Sequence, residues 1–142
     1  MGRGKIKHLD AYIKAKLLDH SGWTEHLPRK ISPSDGDMLL DHLGRILLIE
    51  LSTKTDSFNE LATGQRILGE NFVRNGKGKQ AYALAKIVTP EDRAIDTTKD
   101  IISFSFLIYD KGQLKRLGPY DGRHWTEAVK SWLQVKPDIS SS

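Results

Sequence analysis

The stretch from Asp35 to Lys54 constrains this chain most. It reads Asp35-Gly-Asp-Met-Leu-Leu-Asp-His-Leu-Gly-Arg-Ile-Leu-Leu-Ile-Glu-Leu-Ser-Thr-Lys54. Two short apolar runs are joined by a tight turn at Leu43-Gly44, where glycine supplies the backbone freedom that a hairpin turn needs. A turn centred there fixes the pairing. Arg45 faces His42, Leu47 faces Leu40, Ile49 faces Met38 and Glu50 faces Asp37. Directly opposed residues share a face, with Cβ atoms about 5 Å apart. Two carboxylates therefore meet on an otherwise apolar hairpin.

Like charges opposite each other destabilise a sheet, and an unpartnered buried carboxylate costs several kcal/mol. A divalent cation resolves both problems, because magnesium takes one or two carboxylates and completes its shell with water and phosphate oxygens. An Arg or Lys from elsewhere would also resolve them. Spacing alone leaves metal and ion pair equally open.

Pro33-Ser34-Asp35-Gly36-Asp37, the hairpin, Ile49-Glu50-Leu51 and then Gly64-Gln65-Arg66 resemble the PD-(D/E)XK nuclease superfamily. More narrowly, they resemble its small phage and bacterial members, with an S-D-x-D segment, an I-E-x-K strand and a downstream G-Q opening a helix. The similarity spans about residues 31 to 88. It implies a restriction-endonuclease-like α/β (α+β) core and a metal-dependent nuclease that hydrolyses DNA phosphodiester bonds. It further implies a phage-like origin, while the lack of cysteines and of a signal-peptide pattern makes intracellular, cytoplasmic action the default expectation. Asp37 and Glu50 match the ligands of magnesium (or manganese), with the backbone carbonyl of Leu51 beside them. Gln65 matches the helix glutamine that helps position the nucleophile. The family's lysine belongs two residues after Glu50, where this chain has Ser52. Lys54 is the stand-in, on the same face if the strand stays extended, and Ser52 would then hydrogen-bond a water beside the metal. Asp35 is a reserve ligand that the hairpin register disfavours. The alternative is a nuclease-like domain that lost the lysine and binds nucleic acid or a protein partner without cutting.

Charge bears on the partner. The chain's net charge is +4. Between Gly64 and Lys86, five cations (Arg66, Arg74, Lys77, Lys79 and Lys86) face the single Glu70, so this segment equals the whole excess. Clustered cations on a neutral background fit a polyanion such as DNA, although a solvated helix end and loop fits as well. Arg66, Arg74, Lys77 and Lys79 are the expected backbone clamp. The chain contains no cysteine, which excludes disulfides, thiol chemistry and cysteine-ligated zinc. No apolar run reaches the roughly 18 residues of a membrane span, and no signal-peptide pattern opens the chain.

The remaining sequence reads as one domain over 1–142, with 1–7 and 136–142 as flexible ends. Apolar spacing predicts a helix from His8 to about His20 ended by Ser21-Gly22, then an irregular link anchored by Trp23 and Leu27. A second helix is expected from Glu60 to about Arg74. Leu61, Leu68, Phe72 and the lone amide of Gln65 share its core face, where Gln65 either satisfies a backbone group or points into a cavity beside Glu50. Tyr82, Leu84 and Lys86 alternate with Ala81, Ala83, Ala85 and Ile87 as a third strand. Thr89 to Asp100 is a polar excursion, long enough to be mobile or functional. Ile101 to Tyr109 is the clearest strand, followed by a short return strand through Leu114 and Leu117. Trp125, Val129, Trp132 and Leu133 mark a last helix, stopped by Pro137. The expected architecture is a mixed sheet of four to five strands flanked by helices. Nucleases of this kind often pair to address two strands, so a homodimer is compatible with it.

Overall fold

A computed structural model describes residues 18–19, 22–23, 38–90 and 92–135. Its centre is a mixed five-stranded sheet in the order β2-β3-β4-β6-β7. The strands are β2 (Met38–His42), β3 (Arg45–Ser52), β4 (Gln80–Ile87), β6 (Ile101–Asp110) and β7 (Gln113–Asp121). β3 and β4 run parallel and the other neighbours are antiparallel. A parallel pair needs a crossover, and helix α1 (Thr63–Asn75) supplies it. A second helix, α2 (Trp125–Leu133), follows β7. A small parallel pair, β1 (Leu18–Asp19) with β5 (Ile95–Asp96), stands apart from the main sheet. The class is α+β. Among the described residues no helix is long and apolar enough to cross a membrane.

The β2–β3 hairpin forms as its sequence implies. Leu43 and Gly44 both take positive φ, 53° and 86°, as a two-residue turn matched to strand twist requires. Met38 pairs with Ile49, Leu40 with Leu47 and His42 with Arg45. This register sorts the sheet into two faces. Leu47, Ile49 and Leu51 join Ala81, Ala83 and Ala85, Phe104 and Phe106, and the buried Trp125, Val129 and Leu133 of α2 in the larger core. The small alanines of β4 leave room for these aromatics. On the other face Tyr82, Leu84 and Leu107 pack with Val73 of α1 and with Phe58.

The seating of α1 differs from its expected apolar stripe. The helix begins at Thr63, after a 3₁₀ turn at Phe58–Glu60. Its buried residues are Gly69 and Val73, while Leu68 is 64% exposed. The cause is the contact of Gly69 with Tyr82. A Cβ at Gly69 would stand 2.4 Å from Tyr82 ring carbons, so only glycine lets the helix backbone lie on the ring. Gly69→Ala is expected to cost about 1–3 kcal/mol in overpacking, against a helix-propensity gain near 1 kcal/mol. A lower thermal midpoint for the folded variant checks this.

Three further expectations change. Leu18–Asp19 form a strand, not the end of a helix; the rest of that expected helix and Leu27 lie outside the described residues. Within the expected excursion from Thr89 to Asp100, the stretch 95–100 is a packed platform. Ile95 and Thr97 are fully buried, and Thr97 accepts from the indole N–H groups of both Trp23 and Trp125, through its hydroxyl and its carbonyl, each at 2.9 Å. Helix α2 ends at Leu133 through Gln134 in the left-handed conformation, before Pro137 can act. The hairpin turn clasps that helix end: Arg45 Nε donates to the Trp132 carbonyl at 2.6 Å, His42 Nδ1 lies 2.8 Å from the Leu133 carbonyl, and the Arg45 guanidinium stacks 4.1 Å from the Trp132 ring. Cationic groups are favoured at a helix C-terminus.

Asp100 locks the platform. Its side chain is 8% exposed and accepts from both terminal nitrogens of Arg93 and from the Asp96 N–H at 2.7 Å. The Arg93 hydrogen bonds hold its pKa below the usual carboxylate range. A carboxylate depressed on folding adds stability above its unfolded pKa, and that stability is lost as pH falls through the folded value. The Arg93 side chain is 52% exposed, so solvent screening keeps the effect modest. Thermal midpoints taken between about pH 5 and pH 2 should fall for the wild type and fall less for Asp100→Asn.

Candidate active site

The cleft at the C-terminal ends of β3 and β4 follows from strand alternation. Glu50 and Ser52 point to the α1 side of the sheet, beside Leu84 and Lys86 of β4, while Leu51 turns into the larger core. Helix α1 starts three residues beyond the 3₁₀ turn and leaves the sheet end uncovered. The resulting cleft of about 680 Å³ is lined by Glu50, Leu51, Ser52, Lys54, Glu60 and Gln65, among others. Glu50 is 7% exposed. The first turn of α1 aims Gln65 into this space, and its side-chain amide makes no hydrogen bond to any described residue.

Strand β3 stops at Ser52 for a local reason. The Ser52 hydroxyl accepts the backbone N–H of Lys54 at 3.0 Å and of Thr55 at 3.3 Å, a serine turn that competes with the extended strand. The strand therefore does not stay extended to Lys54. Lys54 is exposed on the bend and still borders the cleft. Ser52 keeps its O–H donor for another partner, while its acceptor side shapes the turn.

Beyond the bend the loop is cross-linked. The Thr55 hydroxyl donates to Glu60 and accepts the Ser57 N–H at 2.9 Å. Ser103 donates its hydroxyl to Asp56. Sequence reasoning missed Glu60, the second described carboxylate of the cleft. Its signal was Ser57 three residues before an acid, a helix-start pattern that points to capping instead of chemistry.

Asp37 lies outside the described residues, as does Asp35; the described pairing stops at Met38↔Ile49, one step short of the expected Asp37–Glu50 pair. Among the described residues no group of three or more His, Cys, Asp or Glu side chains could hold a metal ion.

The basic residues separate. Arg66, near the start of α1, stands at the cleft end and pairs with Glu70 at 3.6 Å. Arg74 is two turns further, about 12 Å along the axis, where its guanidinium donates to Asn71 at 3.4 Å. Lys77 and Lys79 follow in the turn before β4. That turn leads into the Ile46↔Gln80 rung, at the far end of the strand pair from Ser52↔Lys86, about 20 Å away. The fold thus brings Glu50, Leu51, Ser52, Lys54 and Gln65 together, with Arg66 nearby. It carries Arg74, Lys77 and Lys79 to the opposite end. No protein-family model matches the chain, and no curated protein and no solved structure matches it.

Proposed function

We propose that this chain is a metal-dependent nuclease that hydrolyses DNA phosphodiester bonds on a restriction-endonuclease-like core. One observation carries the reading. A nearly buried glutamate, a lysine at the mouth and a helix glutamine that makes no hydrogen bond to any described residue share one open cleft at the end of a parallel strand pair. These are the residue types that the family resemblance requires there. A cleft built for folding alone would be expected to satisfy or exclude the Gln65 amide.

Glu50 and Asp37, with the Leu51 carbonyl, would hold magnesium or manganese; when bound, the ion polarises the scissile phosphate and lowers the pKa of a coordinated water. The carboxylate, carbonyl and water oxygens fit such a hard cation. Gln65 orients the attacking water through its amide. Lys54 meets negative charge at the cleft mouth, and Ser52 fixes the bend that puts it there. Arg66 contacts the DNA backbone beside the cut. Arg74, Lys77 and Lys79 follow the backbone away from it, and the distance of about 20 Å from the cleft end to the Lys77–Lys79 turn corresponds to about six steps at 3.4 Å each. Backbone contacts of this kind give salt-sensitive binding with little sequence preference.

The alternative, a non-cutting domain that binds nucleic acid or a protein partner, is favoured by Ser52 in the lysine position with its hydroxyl engaged in a turn. Incubating supercoiled and linear DNA with the protein in magnesium or manganese separates the two. Cleavage that is lost in EDTA and in Glu50→Gln supports the nuclease. Binding without cleavage supports the alternative.

A further inference from the structure

The parallel register of β3 and β4 sets Lys86 directly beside Ser52, and the antiparallel register of β4 and β6 sets Ser103 on its other side. All three residues share the α1 face of the sheet, where Glu50 stands one alternation before Ser52. Lys86 therefore lies one strand over from the cleft walls, across a spacing of ~4.8 Å that its four-carbon stem spans easily. It is half-buried and makes no ion pair with any described residue. Asp56, an acid on the β6 side, accepts a hydrogen bond from the Ser103 hydroxyl. Lys54, by contrast, is exposed on a bend whose geometry the Ser52 hydroxyl dictates.

Phosphodiester hydrolysis adds water across a P–O bond. A new P–O bond forms to the water oxygen, the ester P–O bond breaks, and the water's proton ends on the leaving oxygen. Negative charge grows on the non-bridging oxygens between these events, so a cation fixed beside them stabilises the transition state more than the ground state. A lysine on a strand paired on both sides, as Lys86 is with Ser52 and Ser103, is held for this better than one on an exposed turn.

Resting on the nuclease reading above, we propose that Lys86 is the cation that contacts the scissile phosphate in this cleft, taking the place left by Ser52. The lysine requirement is then met from the neighbouring strand, and Lys54 is left as a backbone contact at the mouth.

The test compares Lys86→Met, Lys86→Arg and Lys54→Met with the wild type, each first shown to be folded by its thermal midpoint. In magnesium, Lys86→Met should lower kcat by about 10²–10³ with a smaller change in KM, Lys86→Arg should recover part of the loss, and Lys54→Met should act mainly on KM. In EDTA, binding of a short DNA duplex should show a salt slope reduced by about 0.9 in Lys86→Met. Wild-type cleavage that Glu50→Gln abolishes but Lys86→Met leaves unchanged overturns the Lys86 assignment alone. Absence of cleavage by the wild type overturns the nuclease reading. In that case the reduced salt slope still supports Lys86 as a phosphate contact, and an unchanged slope overturns it.

Discussion

Glu50→Gln is expected to abolish magnesium-dependent DNA cleavage while leaving the sheet intact. The substitution keeps the side chain's length and shape in a position only 7% exposed, with Leu84 as its β4 partner. It removes the negative charge on which the proposed cation binding depends. A cation acting as Lewis acid contributes several kcal/mol to the transition state, and each 1.36 kcal/mol is tenfold in rate, so the loss should be about 10³-fold or more. The assay is single-turnover cleavage with enzyme in excess, beside circular dichroism of the variant. A folded Glu50→Gln protein that cuts at the wild-type rate would contradict the assignment.

Trp125→Ala is expected to be the most damaging single change to stability. Trp125 is fully buried and sits among Phe104, Phe106 and Trp23, with ring centroids at 5.1, 6.4 and 6.1 Å. Its indole N–H also donates to the Thr97 carbonyl, which ties α2 to the platform between β4 and β6. Truncation opens a cavity that this interlocked cluster cannot close, costing about 3–5 kcal/mol. For a domain of this size the thermal midpoint should drop by roughly 10–20 °C. Trp125→Phe separates packing from the hydrogen bond, because it removes the indole N–H that donates to the Thr97 carbonyl, at about 1–3 kcal/mol. Thermal unfolding of both variants checks the ordering; equal stability of Trp125→Ala and wild type would contradict this account of the core.

The parts legible in the sequence are those set by local chemistry. The Leu43-Gly44 turn fixed the hairpin pairing because turn geometry and apolar alternation act within a few residues. The alternation of Tyr82 and Leu84 with the alanines gave β4 and its two faces for the same reason. The face of α1 was not legible, because it is chosen by Gly69 against Tyr82, a contact made only after the crossover closes. The β1–β5 pair and the Thr97 platform likewise depend on partners distant in sequence. In the candidate site, Glu50 was singled out by the hairpin register, and Ser52, Lys54 and Gln65 by the family resemblance; all four line one cleft. Lys86 was grouped with Arg74, Lys77 and Lys79 by sequence charge alone. The parallel register separates them, setting Lys86 beside Ser52 and the other three at the far end.

The most direct test of the central claim is the anomalous signal of manganese in crystals of the protein. The account predicts one peak with a carboxylate oxygen of Glu50 and one of Asp37 within coordination distance, about 2.1 Å for a small divalent cation bound by oxygens. No peak at Glu50, with Asp37 on the opposite face of the sheet or bonded to an arginine or lysine, would contradict it.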